Sequence, residues 1–413
     1  MARYLGHVLW RRALLPLLNN SHATSNLIKK SIYTKSTRVK ASVNFTTSSC
    51  CSLQSHESAG EVNARRANDV CEALMIGDGH ANETNARHKR KFTNLVVRWS
   101  RDRDVMFCPI YKIASTFWRR VFMINNERKD KSISKLTNPF TLLPDKEFPT
   151  SNIRSVNELV SNSYKFMFTR DPYTRLFSFY FDKLVAPVPY YWKTVGKEIL
   201  KNRPGRANKA KCGHDITFPE FIQYVIKTLK NGKSDPHWSR METLCNPCEI
   251  KYNFTGKLEN FLPDSFEMTK KLKMNTMAEY LYVNGSASYS DDAILDKVRQ
   301  PFTFKRHYTP CIHFQEAVSR TWKTLQIRGM IGDDSPPKDI GERSSWKELF
   351  ESAKRSKVES TKETRMKMKK DNYRKYWAEI SISDIEELRH LYARDFKIFW
   401  YNDTPEDVFQ RRS

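Results

Sequence analysis

The chain changes character near Asn94. Beyond that point short apolar runs alternate with polar turns, and the length and spacing of the runs predict the elements. Val105–Ile110 is an apolar run of strand length, and Tyr164–Thr169 (YKFMFT) is a second. Each is followed by helical periodicity. Thr116–Ile124 carries Trp118, Val121 and Phe122 on one face, and Pro172–Leu184 carries Leu176, Phe177, Tyr180, Phe181 and Leu184 as an apolar stripe. Phe218–Leu229 and Ile385–Phe399 read as further helices. Two strand–turn–helix units in succession predict an α/β fold, a mainly parallel sheet flanked by helices. Ser335–Lys370 is rich in charge, contains a Pro-Pro pair and reads as an exposed insertion or mobile helix.

Residues 1–95 lack this alternation. No Asp or Glu precedes Glu57, Ser and Thr cluster between Ser21 and Ser55, and the apolar patch at Ala13–Leu18 is short and interrupted by Pro16. An acid-poor, Arg- and Ser-containing start resembles a mitochondrial transit peptide, and equally a flexible stem or a degraded signal. The expected division is a disordered or stem-like targeting region over 1–95, a catalytic-sized domain over 96–402 and a tail over 403–413. No run approaches the ~20 apolar residues of a membrane helix, and no fixed-period repeat is visible.

Composition narrows the partners. Among 413 residues, 71 Lys and Arg face 46 Asp and Glu, giving a net charge of +25, which predicts attraction to nucleic acid, anionic membrane or acidic glycans without choosing among them. Eight cysteines and six Asn-x-Ser/Thr sequons, at Asn19, Asn44, Asn82, Asn253, Asn284 and Asn402, lean toward a secretory compartment.

Three segments carry candidate chemistry. In CPIYKIASTFWRR (108–120) a strand runs through a loop bearing Lys112, Ser115 and Thr116 into a helix. Unpaired amides and a partial positive charge at a helix start suit a phosphate, although ordinary capping explains the same residues and the nucleotide-triphosphate pattern GxxxxGK[ST] is absent. In KFMFTRDPYTRLFSFYFDK (165–183) Asp171 is a good helix cap and Pro172 suits the first helical position. Arg170 then falls at the carboxyl edge of the strand, where α/β proteins bind ligands. Arg170 with Ser178 can hold a second phosphate; helix-end electrostatics is the competing explanation. In DPHWSRMETLCNPCEIKYNFTGKLENF (235–261) His237 is suited to take a proton from a sugar hydroxyl with Asp235 orienting it, against the alternative of a satisfied structural histidine. Cys245 and Cys248 form a CxxC with no second CxxC or tight His pair, which favours disulfides over zinc.

Taken together and in this order, the three segments resemble the carbohydrate sulfotransferases of the Golgi, in the branch of the chondroitin and dermatan 4-O-sulfotransferases and the HNK-1 sulfotransferase. That branch shows a CPxPKxASTxWKR-like motif, a (V/T)R(D/E)PxxRLxSxYxxK-like motif and an HWxxxxxLCxPCxIxYDFxGKxE-like motif. LRHLYARDFKIFWYN at 388–402 is similar to the family's terminal LxxxYxxDFxxFxY. The resemblance covers residues 95–402. It implies a P-loop-like parallel sheet, the donor 3′-phosphoadenylyl sulfate, no metal, and a glycan acceptor of anionic type rather than nucleic acid. Lys112, Ser115 and Thr116, with Arg119 or Arg120, are implied to hold the 5′-phosphosulfate, Arg170 and Ser178 the 3′-phosphate, and His237 is the candidate base beside Lys112. Trp118 is a motif position that packs the loop. Location on the lumenal side of the Golgi membrane is implied as well.

The chain also departs from the pattern. Tyr111 replaces the proline before the lysine, Phe117 a small or polar residue, Arg119 a lysine, and Asn253 the aspartate of DFxGK. Lys112, Arg170 and Ser178 all remain, so donor binding is expected to survive, with acceptor choice and rate more exposed to change. A catalytically inactive glycan-binding relative, and a polyanion-binding protein with coincidental motifs, are the alternative readings.

Overall fold

A computed structural model describes residues 57–77, 95–100, 103–118, 121–122, 163–201, 203 and 212–410. Four strands, β1 (Leu95–Ser100), β2 (Arg103–Cys108), β3 (Tyr164–Thr169) and β4 (Phe254–Lys257), form a sheet in the order β1-β2-β3-β4. β1 is an antiparallel edge on β2, while β2, β3 and β4 run parallel, with Phe107 level with Phe166 and Phe166 level with Phe254. The parallel strands read as apolar runs because helices cover them. Phe107, Phe166, Phe168 and Phe254 are at most 1% exposed. Trp118, from the segment after β2, packs edge-on to Phe166 with ring centroids 4.9 Å apart, so this motif tryptophan belongs to the core.

The helices used below are α1 (Ala59–Gly77), α2 (Pro172–Phe179), α3 (Phe218–Lys230), α4 (Asn275–Val298), α5 (Phe314–Ile327), α6 (Trp346–Glu359), α7 (Lys362–Ala378), α8 (Ile382–Leu391) and α9 (Ala393–Phe399). α2 starts where its sequence predicts. Asp171 accepts from Thr174 N at 2.7 Å and Pro172 fills the first turn, satisfying amides left free by helix geometry. It does not continue as a plain α-helix to Leu184, because Tyr180–Val185 widens into a π-helical turn. The expected helix 385–399 is likewise two pieces, α8 and α9, broken at Tyr392.

Two further expectations change. The packed unit starts at Ser58. α1 lies inside the stretch read as stem, yet buries Ala64, Ala67 and Cys71, and Cys71 is bonded to Cys248. Most of the segment 335–370 is exposed, but one of its helices packs into the core. α6 buries Leu349, Ser352, Ala353 and Ser356, the i, i+3, i+4, i+7 positions of one face, so its many charges lie on the opposite side.

Disulfides Cys71–Cys248, Cys108–Cys245 and Cys212–Cys311 close the fold. Both CxxC cysteines are therefore oxidised, each to a distant partner rather than to the other. Cys108 ends β2 directly before the Lys112 loop, so its bond to Cys245 ties the first motif to the third. Asn253, the departure from aspartate, keeps β3 and β4 paired: its Oδ1 accepts from Lys165 N at 2.8 Å and its own N donates to Lys165 O at 2.7 Å. An aspartate oxygen can fill the same acceptor role. No helix among the described residues is long and apolar enough to cross a membrane.

Candidate active site

The carboxyl ends of β2 and β3 release adjacent loops. After β2 the chain turns through residues 111–114 and residues 115–118 are helical. Lys112 and Ala114 adopt φ of 69° and 50°, a left-handed conformation that non-glycine residues hold only where the surroundings enforce it. Successive backbone amides in such a turn are a setting of the kind that can bind anions. Ser115 is buried and Thr116 exposed at the helix start; Arg119 and Arg120 lie outside the described residues. From the second loop, Arg170 Nη1 donates to the Lys112 carbonyl at 3.2 Å, while its Nε donates to Thr174 Oγ1 at 3.2 Å. The two junctions thus meet in one place.

Lys112 Nζ reaches Asp182 Oδ2 at 2.5 Å. Asp182 sits in the π-helical turn, one helical turn beyond Ser178, and both are buried. The same carboxylate is paired with Lys297 from the end of α4 and lies 3.4 Å from Lys183 and 4.0 Å from Arg328. Asp296 also touches Lys297, at 3.1 Å. Four cations therefore gather around the buried Asp182 carboxylate, and one of them, Lys297, also pairs with Asp296. Burial pushes the Lys112 ammonium down to about 7, with Asp182 opposing the shift. The surrounding cations outweigh burial at Asp182 and hold its carboxyl well below the usual range. Burial also lowers Arg170, and Lys369 of α7, exposed to solvent, lies within electrostatic reach of Arg170 and Arg328.

His237 lies within electrostatic reach of Lys112. Its Nδ1 bonds Asp235 Oδ1 at 2.6 Å and its Nε2 faces Tyr191 OH at 3.2 Å. With Nδ1–H donating to the carboxylate, Nε2 keeps its lone pair. Tyr111 stacks on the imidazole with centroids 4.5 Å apart, giving the replaced proline position a defined contact. Burial lowers the His237 pKa, Asp235 opposes this, and Lys183 and Lys112 add to it, which favours the neutral imidazole.

One arginine fixes the relative position of these parts. Arg175, 2% exposed, donates to Tyr111 O, Ser239 O and Pro236 O at 3.3, 2.6 and 2.7 Å. It clamps the Lys112 loop to the His237 loop through three donated bonds.

Sequence reasoning singled out Lys112, Ser115, Thr116, Arg119, Arg170, Ser178 and His237. The structure brings Lys112, Arg170 and His237 near one another, while Ser115 and Ser178 are buried close to them along the chain. Lys297, Arg328, Lys369 and Tyr191 went unrecognised. They come from distant elements with no motif of their own, whereas Asp182 and Lys183 stood at the end of the second motif and were open to detection.

The comparisons with known proteins fit this geometry. The sulfotransferase family model matches residues 97–307, about half of the chain. The chain belongs to the sulfotransferase family. Carbohydrate sulfotransferase 11 of Rattus norvegicus is 28% identical over 203 residues, covering 45% of this chain and 56% of the relative. Carbohydrate sulfotransferase 8 of Homo sapiens is 30% identical over 167 residues, 39% of each chain. Carbohydrate sulfotransferase 14 of Danio rerio is 30% identical over 164 residues, covering 39% and 43%. The chain spans about half the length of the curated relatives it matches. No solved structure matches it. For a sulfotransferase, Lys297 lies inside the matched segment, while Arg328 and Lys369 come from the region that follows it.

Proposed function

We propose that this sulfotransferase is an enzyme that transfers a sulfuryl group from 3′-phosphoadenylyl sulfate to a hydroxyl of an anionic glycan, in the lumen of the Golgi. The observation that carries the reading is the meeting of the two junctions: Arg170 bonds the Lys112 carbonyl beside a cluster of four cations, with a neutral, oriented histidine next to Lys112. An excess of buried positive charge at the carboxyl edge of a parallel sheet fits a ligand with several phosphates. Three disulfides suit an oxidising compartment.

When bound, the donor supplies a sulfuryl group whose bridging oxygen leaves with negative charge. Lys112 and the turn amides stabilise that oxygen as its bond to sulfur breaks, with Ser115, Thr116 and Arg119 holding the adjacent phosphosulfate. Arg170 and Ser178 hold the 3′-phosphate. His237 Nε2 accepts the proton of the attacking hydroxyl as the new O–S bond forms, and Asp235 stabilises the imidazolium. Arg175 and Tyr111 keep base and lysine in register, the positioning that much of such catalysis relies on.

The test is calorimetric titration of the full chain with adenosine 3′,5′-bisphosphate and with adenosine 5′-monophosphate, followed by sulfate transfer to a glycan panel. Tight binding that depends on the 3′-phosphate, together with transfer, is expected. Bisphosphate binding without transfer to any glycan assigns the chain to the inactive glycan-binding class, and no binding by folded protein removes the donor site.

A further inference from the structure

Residues 189–201 run as a short helical segment composed of Pro189–Tyr191, the π-helical turn Trp192–Gly196 and Lys197–Leu200. Its two faces differ in chemistry. Trp192, Val195, Gly196, Ile199 and Leu200 are buried, whereas Tyr190, Lys193, Thr194, Lys197, Glu198 and Lys201 are exposed. The buried face is fixed in place. Trp192 Nε1 donates to Leu184 O at 2.8 Å. Gly196 lies so close to Gly213 that a Cβ there would stand 2.1 Å from its carbonyl oxygen, and neighbouring Cys212 is bonded to Cys311.

The exposed face starts at the reaction centre. Tyr191 meets His237 Nε2, and Tyr190 packs edge-on to Tyr191 with centroids 5.1 Å apart while remaining 42% exposed. Thr194 Oγ1 donates to Tyr190 O at 2.8 Å, steadying the tyrosine backbone. Glu198 neutralises Lys201 at 2.6 Å. Among the described residues no ion pair engages Lys193 or Lys197, which stand four residues, roughly 6 Å of helical rise, apart.

We infer that this face is the acceptor track of the enzyme: Tyr190 is a platform for the apolar face of a sugar ring delivered to His237, and Lys193 and Lys197 bind the carboxylates or sulfates of the sugars that follow. The inference rests on the glycan-transfer reading. A pyranose presents a C–H face and a polar rim, and an exposed rigid aromatic matches the former at little entropic cost. Mobile lysine stems suit acidic groups whose spacing varies from sugar to sugar. The rigid underside keeps the platform at a set distance from the base.

Full-length chain is titrated with a chondroitin hexasaccharide and, separately, with adenosine 3′,5′-bisphosphate, for wild type, Tyr190→Ala, Tyr190→Phe and the double variant Lys193→Ala/Lys197→Ala. Hexasaccharide affinity falls about tenfold or more in Tyr190→Ala and in the double variant, Tyr190→Phe retains it, and bisphosphate affinity is unchanged in all. The double variant also loses part of the salt dependence of glycan binding. Wild-type hexasaccharide affinity in both alanine variants, or no affinity in wild type, overturns the track. Failure of wild type to bind the bisphosphate overturns the donor reading instead, and the hexasaccharide titration still decides the track.

Discussion

Lys112 offers the sharpest test, because the fold pulls its charge in two directions. Burial pushes its ammonium down to about 7 from an ordinary 10.5, and Asp182 recovers only part of the loss. A multiply charged anion beside it restores the protonated form, so the pKa in the bound state lies above that of the free state. The sign follows: binding takes up a proton, is strongest below pH 7, and weakens as pH rises toward the bound-state pKa. For a free-state value of about 7, the apparent Kd for adenosine 3′,5′-bisphosphate rises about fifty-fold between pH 7 and pH 9. Phosphate monoesters, with a second pKa near 6, are already dianionic over most of that range. Calorimetry at pH 8 in buffers of differing ionisation enthalpy should register uptake of about 0.9 proton. Lys112→Arg, charged throughout, flattens the dependence, and His237→Asn leaves it intact. A flat Kd with no proton uptake in wild type refutes the reasoning, since it means that Asp182 keeps Lys112 fully charged despite burial.

Three further outcomes are expected. Arg170→Ala removes charged hydrogen bonds of about 1.5–3 kcal/mol each, so bisphosphate affinity drops roughly 10- to 100-fold while adenosine 5′-monophosphate affinity changes little; equal losses for both nucleotides return Arg170 to a structural role. His237→Ala lowers kcat by about 10²–10⁴ with bisphosphate binding retained, and a loss under about tenfold removes it as the base. Cys108→Ala/Cys245→Ala opens a cross-link between residues 137 apart in sequence, which chain entropy values at up to about 5 kcal/mol. Thermal unfolding should therefore show a large drop in Tm, and an unchanged Tm means that the sheet holds the Lys112 loop without the bond.

Part of the chain's basic surplus is gathered around Asp182. Four cations packed around Asp182 and Asp296 are costly to bury together in a donor-free protein, because desolvation is only partly offset by pairing. Asp182 serves as the internal counter-ion of these cations. Buried charge of this kind accumulates at sites evolved for ligands rather than for stability.

What the sequence determined by itself is local in range. The strand Tyr164–Thr169, the Asp171 cap followed by Pro172, and the order of the two strand–turn–helix units depend on periodicity and on hydrogen bonds spanning three or four residues. Residue types in one segment report such features directly. The sequence also located Lys112, Arg170 and His237, because the motifs that carry them are contiguous. Only the tertiary structure decided which cysteines pair, that Tyr111 stacks on His237, that Arg175 clamps two loops, and that Asp182 draws in Lys297 and Arg328. It also packed one face of α6, within 335–370, into the core and brought Lys369 toward Arg170. These contacts join segments far apart along the chain, and no spacing rule encodes them. They exist because burial of the aromatic core fixes where each backbone runs, and buried charges then settle with whatever opposite charge the packing brings within reach.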